Sequence, residues 1–276
     1  MSTLFLIATP IGNLEDISAR ALRTLQEVSL IAAEDTRHTG KLLKHFEIDT
    51  QLTSYYEHNK LHKLENILEA LTRGDVALVS DAGTPALNDP GYELVRAVLN
   101  AGHEVSPIPG PSAPVAALVA SGLPTDRFLY LGYLARKTTD RKRQISEVAA
   151  QPYTLIFLET PHRLVAALDD LLSGLGDRQI AVARELTKRF EEIFRGPISE
   201  AAAYFGTAPP RGEITLVIAG ASLELEKWSP EQLQAAIEAG IARGAATSQL
   251  AKDLATQSGW PRRKIYNWII DLRDEA

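Results

Sequence analysis

Two aspartates, Asp81 and Asp89, stand in SDAGTPALNDPG (80–91), directly after the apolar run VALV and among glycines and prolines that give them little cover. Similar stretches follow two other apolar runs, ATPIGNLED (8–16) and IPGPSAP (108–114). Glycine lets main chain approach a ligand closely, and proline sets a loop's course before the ligand arrives. Any one such loop would serve merely to turn the chain. Three in one half of the sequence can offer backbone N–H and C=O groups to a flat, polar cofactor. A further stretch, ARKTTDRKRQ (135–144), sets Arg136, Lys137, Arg141, Lys142 and Arg143 against the single Asp140. It reads as a basic loop suited to phosphate, or as a solvated face.

Other chemistries drop out. The chain has no cysteine, which removes disulfides, thiolate nucleophiles and thiolate metal sites. His38, His45, His58, His62, His103 and His162 show no HExxH or comparable ligand spacing, so no metal is expected. The first loop is PIGNL and not GxGxxG, and no GxxxxGK[ST] occurs, so neither a dinucleotide turn nor a P-loop is present. A net charge of −6 argues against a uniformly basic nucleic-acid coat but leaves room for local basic patches. What remains is a ligand held by main chain rather than by a phosphate clamp.

The elements that must position these loops alternate. Short apolar runs at 4–8, 30–33, 76–80, 104–108, 154–158, 179–183 and 214–219 are separated by stretches with helical spacing, the signature of an α/β fold. Four strands fall in the first half. Ligands of open α/β sheets bind beyond the carboxyl ends of the strands, where these loops lie. Helix starts are marked by Thr160-Pro161 and by Ser229-Pro230, the latter with Gln232 completing a capping box. With 276 residues the chain suits one large or two modest domains. Glycine and proline in GLPTDRF (122–128) mark a boundary, ASLELEKWSP reads as a linker, and three short helical patterns follow Pro230. The predicted division is an α/β domain over 1–121, a second over 122–224 and a small helical domain over 225–276. That last domain, its final helix opening Arg262-Arg263-Lys264, reads as a helix-turn-helix module or as a packing cap. The opening MSTLFLIATP lacks a basic n-region, so a cytoplasmic protein without membrane association is expected.

Seven stretches in order, ATPIGNLEDIS, LIAAEDTRHTGKLL, LVSDAGTPALNDPGYELV, IPGPSA, LIFLETPHRL, ARELTKRFEEI and RGEITLVIAG, resemble the tetrapyrrole methylase family, in the branch called ribosomal RNA small subunit methyltransferase I. The resemblance runs from about residue 4 to 220. It implies two α/β domains with an S-adenosylmethionine (S-adenosyl-L-methionine) cleft between them, usually in a homodimer. It also implies 2′-O-methylation of a cytidine in 16S rRNA, in the decoding region of the small ribosomal subunit. One departure is Leu158, where an aromatic residue often precedes the glutamate of this branch; a looser pocket wall is implied.

By family position the cofactor cleft is lined by Pro10, Gly12, Asp81, Ala82, Gly83, Ser112 and Ala113, and on the second domain by Leu186 and Gly212. Asp81 then accepts hydrogen bonds from the cofactor's ammonium or ribose, or else caps its own turn. Asp89 is assigned mainly to starting the next helix. Candidate bases for the hydroxyl proton are Glu34, Asp35, Glu159, Glu185 and Lys188, with Glu159 or Glu185 preferred because both follow strands of the second half. Their alternative role is to pair with Arg163 and Arg184 and fix the loops. RNA contact falls to the 135–144 cations, with Arg37, His38, Arg163, Lys188 and Arg189 in support. Competing readings are methylation of a tetrapyrrole precursor and a non-catalytic RNA-binding assembly factor.

Overall fold

A computed structural model describes residues 2–57, 60–207, 210–222 and 228–274. His58 and half of the predicted linker, residues 223–227, lie outside the described residues. Contacts divide the chain into two compact units, Met1–Ala221 and Ser222–Ala276.

The first unit holds two five-stranded sheets. Strands β1 (Thr3–Ile7), β2 (Leu30–Ala33), β3 (Leu52–Ser54), β4 (Val76–Val79) and β5 (Glu104–Ile108) form a wholly parallel sheet in the order β3-β2-β4-β1-β5. Parallel strands are buried on both faces, and the runs are accordingly apolar at successive positions. Ile7, Ile31, Ala33, Ala77 and Val79 enter one core while Leu4, Leu30, Ala32, Val76 and Leu78 enter the other. Helices α1 (Ala19–Glu27), α2 (Thr36–His45), α3 (Lys60–Leu71) and α4 (Tyr92–Asn100) make the connections. Ser18 and Asp35 cap α1 and α2, accepting from the Ala21 and Arg37 N–H groups at 3.1 and 2.7 Å. The first half thus has five strands and not four: β3 is three residues long, too short to show a pattern.

Helix α5 (Ala113–Ser121) leads into β6 (Phe128–Tyr133), β7 (Thr154–Glu159), β8 (Gln179–Arg184), β9 (Glu192–Pro197) and β10 (Ile214–Ile218), in the order β6-β7-β10-β8-β9. Only β6 and β7 run parallel; β10 is antiparallel to both its neighbours. Helices α6 (Thr138–Val148), α7 (Leu164–Leu175) and α8 (Ile198–Thr207) are joined to one core of this sheet through Ile145, Leu168 and Ala201. Ala117 and Leu118 of α5 pack with Ile156, Ala181, Ala183 and Val217 in another. By packing, α5 therefore belongs to the second sheet, and the change of sheet falls before it, ahead of the boundary expected at 121. The basic stretch expected as a loop is mostly the N-terminal half of α6. Thr160 opens a 3₁₀ turn, Pro161–Arg163, that leads into α7, but its side chain makes no capping bond.

In the second unit, α9 (Pro230–Ala242), α10 (Thr247–Ser258) and α11 (Arg262–Asp274) enclose Leu233, Ile237, Leu250, Leu254, Ile265 and Ile269. The Ser229–Gln232 capping box is present. Arg262, Arg263 and Lys264 are exposed at the start of α11. Among the described residues no helix is long and apolar enough to cross a membrane.

Candidate functional site

The strand order brings the exits of β4, β1 and β5 side by side, so the three glycine- and proline-rich loops become neighbours. Thr9 and Gly83 exchange both backbone hydrogen bonds, at 2.9 and 3.0 Å, and the Thr9 hydroxyl donates to the Ser80 carbonyl at 3.1 Å. Gly110 lies so near Ala8 that a Cβ there would stand 3.0 Å from the Ala8 Cβ. The second sheet meets these loops with the ends of β7 and β8 and the start of β10, for Ile214 pairs with Glu159 on one side and Arg184 on the other. The turn after β8 closes the approach: the Asn13 N–H donates to the Thr187 hydroxyl at 3.1 Å. Glu185 and Thr187 both hold positive φ, 51° and 65°, a conformation that non-glycine residues keep only where their surroundings impose it.

Between the loops lies a cavity of about 280 Å³, lined by Asp81, Ala82, Gly83, Ser112 and Ala113 from the first-half loops and by Leu158, Glu159, Glu213 and Thr215 from the second sheet. A recess with Ile11, Ala113, Leu186, Lys188, Glu185 and Glu213 adjoins it. Gly12 and Gly212 stand at the seams: a Cβ on Gly12 would sit 2.9 Å from the Leu186 carbonyl oxygen, and one on Gly212 would strike the Glu185 carboxylate. Pro10 faces a smaller hollow shared with His38 and Asp81. Asp81 does two things at once, accepting the Asp35 N–H at 3.0 Å and lining the cavity.

The cavity also takes residues to which sequence reasoning gave other roles or none. Glu34, Asn88, Asp89, Tyr130, Tyr133 and Glu213 all line it. Asp89 does not start α4. Gly91 holds the cap position with no side-chain bond, and Asp89 instead accepts from the Ser80 hydroxyl inside the cavity. Its neighbour Asn88, at φ 66°, reaches Gly132 of β6, where a Cβ would stand 2.6 Å from its amide nitrogen. Two residues three apart on a regular strand face opposite ways; a register shift between Tyr130 and Tyr133, with Gly132 at φ 66°, turns both toward the cavity.

The electrostatics follow from this crowding. Burial raises the Glu34 carboxyl above its ordinary range, and Asp89, Asp81 and Asp35 add to the shift. Burial likewise raises Asp89, with Asp81 and Glu213 contributing. Tyr130 is pushed up to about 12 by burial and by Tyr133 and Asp89. The wall is therefore acidic and favours a cationic guest.

The preferred acids line the site but are already paired. Glu159, 1 % exposed, takes the Arg163 guanidinium at 2.8 Å and the Thr160 N–H at 2.7 Å. Arg163 also donates to the Leu134 carbonyl at 2.5 Å, so it braces the loop after β7. Glu185 takes Lys188 at 3.0 Å, whereas Arg184 pairs with Glu192. Of the RNA candidates, Arg37, His38, Arg136, Lys137, Lys142 and Arg143 are exposed. Arg141 is not: it is 5 % exposed, and its guanidinium grips Asp170 of α7, with Nε at 2.7 Å. Its expected phosphate contact is corrected accordingly. No group of acids and histidines among the described residues is arranged to hold a metal ion.

Residues 3–202 match the family model Tetrapyrrole (Corrin/Porphyrin) Methylases. The chain is 48 % identical over its full length to the ribosomal RNA small subunit methyltransferase I of Synechocystis sp., covering 100 % of both chains. It is 42 % identical to the protein so named in Bacillus subtilis, over 97 % of this chain and 94 % of that one. Solved structures share the fold at low identity. A cobalt precorrin-4 methyltransferase gives a TM-score of 0.60 at 16 % identity, over 79 % of this chain and 94 % of that one. The uroporphyrin-III-C-methyltransferase of Thermus thermophilus gives 0.55 at 21 %, with the same coverage. With its three converging loops and matching sequence, the chain belongs to the tetrapyrrole methylase family and groups with members called ribosomal RNA small subunit methyltransferase I.

Proposed function

We propose that this chain methylates small-subunit ribosomal RNA from S-adenosylmethionine, at the 2′-hydroxyl of a cytidine in the decoding region, as a cytoplasmic homodimer. The observation that carries the reading is the acidic, main-chain-lined cavity in a chain that matches relatives so named from end to end. The cofactor's net positive charge suits a wall holding Glu34, Asp81, Asp89 and Glu213, and Gly83 and Ala82 offer main chain without bulk. When bound, the cofactor supplies a methyl group on an already activated sulfonium.

The chain's own part is to align and to accept a proton. Holding oxygen, carbon and sulfur in line contributes on the order of 7 kcal/mol or more. The hydroxyl proton passes to a carboxylate of the cavity. Glu34 and Asp89 suit this better than Glu159 and Glu185: neither has an ion-pair partner among the described residues, and both are raised toward the working range. Exposed Arg136, Lys137, Lys142 and Arg143 take phosphates outside the acidic wall. Transfer of a labelled methyl group to naked 16S rRNA and to intact small subunits, with the product nucleoside identified after hydrolysis, tests the whole reading. No incorporation into either, or a methyl group on a base, overturns it.

A further inference from the structure

A second cavity, about 390 Å³, lies beyond the turn after β8 and shares Glu185 with the recess of the cleft. Its size falls in the range of small-ligand pockets, roughly 300–1,000 Å³. Phe205, 2 % exposed, is among its lining residues, and the rings of Phe190 and Tyr204 stand open to solvent at 68 and 48 %. These rings are set. The Tyr204 hydroxyl donates to Glu192 at 2.5 Å, Glu192 is also held by Arg184, and Phe194 stacks on Tyr204 at 5.4 Å. Arg189 covers one side of Phe190, 5.6 Å from the ring centroid, and Arg211 is exposed on the lining.

An exposed ring beside arginines, next to a cleft that takes a nucleotide, has the makings of a stacking platform. Single-stranded RNA is held by aromatic faces and guanidinium planes for its bases and by cations for its phosphates. We propose that the Phe190–Tyr204 cavity receives one unstacked base of the RNA strand beside the nucleotide in the cleft, with Arg189 and Arg211 on its phosphates. The proposal rests on the RNA reading above. Continuity through Glu185 and the paired cations favour a nucleotide over a second copy of the chain.

The test compares wild type, Phe190→Ala, Phe190→Leu and Phe190→Trp on small subunits from a strain lacking the methylation. The Ala and Leu variants should raise KM for the particle about tenfold while kcat and S-adenosylmethionine affinity hold, and the Trp variant should restore KM. Unchanged KM for Phe190→Ala, or a Leu variant equal to wild type, overturns the platform while the RNA reading stands. A change of sedimenting mass in Phe190→Ala gives the surface to a second copy and overturns it too. Failure of wild type to bind or methylate any particle takes both readings down together.

Discussion

The acids of the cleft are held against burial and against their own repulsion, and Asp89→Asn measures by how much. The asparagine keeps the shape and can still accept from the Ser80 hydroxyl, so the change removes charge and little else. Asp89 is half-buried, and Asp81, Glu213 and Glu34 crowd it. A like charge in contact costs at most a few kcal/mol at an effective dielectric of about 20. Partial exposure and salt reduce the sum here to about 1 kcal/mol. A raised carboxyl contributes stability below its unfolded value, near 3.8, and loses it as pH rises through the folded value. The variant should therefore melt about 2–4 °C above wild type at pH 7, with the gap closing as pH falls toward 4. Thermal unfolding followed by circular dichroism across that range, without cofactor, reads this directly. A variant that melts lower than wild type at pH 7, or a gap that persists at pH 4, refutes the account. Calorimetric titration adds a second reading: the variant should bind S-adenosylmethionine about tenfold more weakly, and its sulfonium-free product nearly as well as wild type does.

Gly12→Ala drives a methyl group against the Leu186 carbonyl and wedges the first loop from the turn after β8. Cofactor affinity should drop at least tenfold by calorimetry, with stability lowered by about 1–3 kcal/mol. Arg141→Ala leaves Asp170 buried beside only the distant Lys142, 3.6 Å away, and should lower stability by about 3 kcal/mol in urea unfolding. Lys142→Ala with Arg143→Ala should leave unfolding unchanged and weaken RNA binding, with a shallower salt dependence in filter binding. Glu159→Gln should shift the melting curve downward through Arg163, and Glu34→Gln should lower kcat while, like Asp89→Asn, melting higher than wild type at pH 7 and binding S-adenosylmethionine more weakly.

What could be read from residues was local. Glycine and proline announce a loop wherever they stand, so the exits of β1, β4 and β5 were legible, as was the Ser229 capping box. Strands lost to reading had local causes too. β3 is three residues long, β6 starts four residues past Pro124, at the end of the boundary stretch 122–128, and β9 carries charge at both Glu192 and Arg195. Arg141 differs from Lys142 and Arg143 only in helix phase: it lies one turn before buried Ile145, on the face that meets α7. That spacing was in the sequence, and the charge run concealed it.

The site's acids were a different matter, because their meeting is tertiary. Glu34 follows β2, far along the chain from Asp89 and Glu213, and nothing near any of the three in sequence refers to the others. Aspartate before Pro90-Gly91 is reasonable cap chemistry, and a cap would have satisfied it. It fails as a cap because Asn88 takes a left-handed turn, which sends the following carboxylate back beneath Ser80. Ala86 two residues earlier has the same hand, at φ 66°. Neither residue adopts that conformation without cost, of order 1 kcal/mol each, and an ordinary turn into α4 would have needed neither. The loop is thus folded against local preference in the direction that crowds the cavity with charge, as expected of a segment shaped for a cationic ligand rather than for stability.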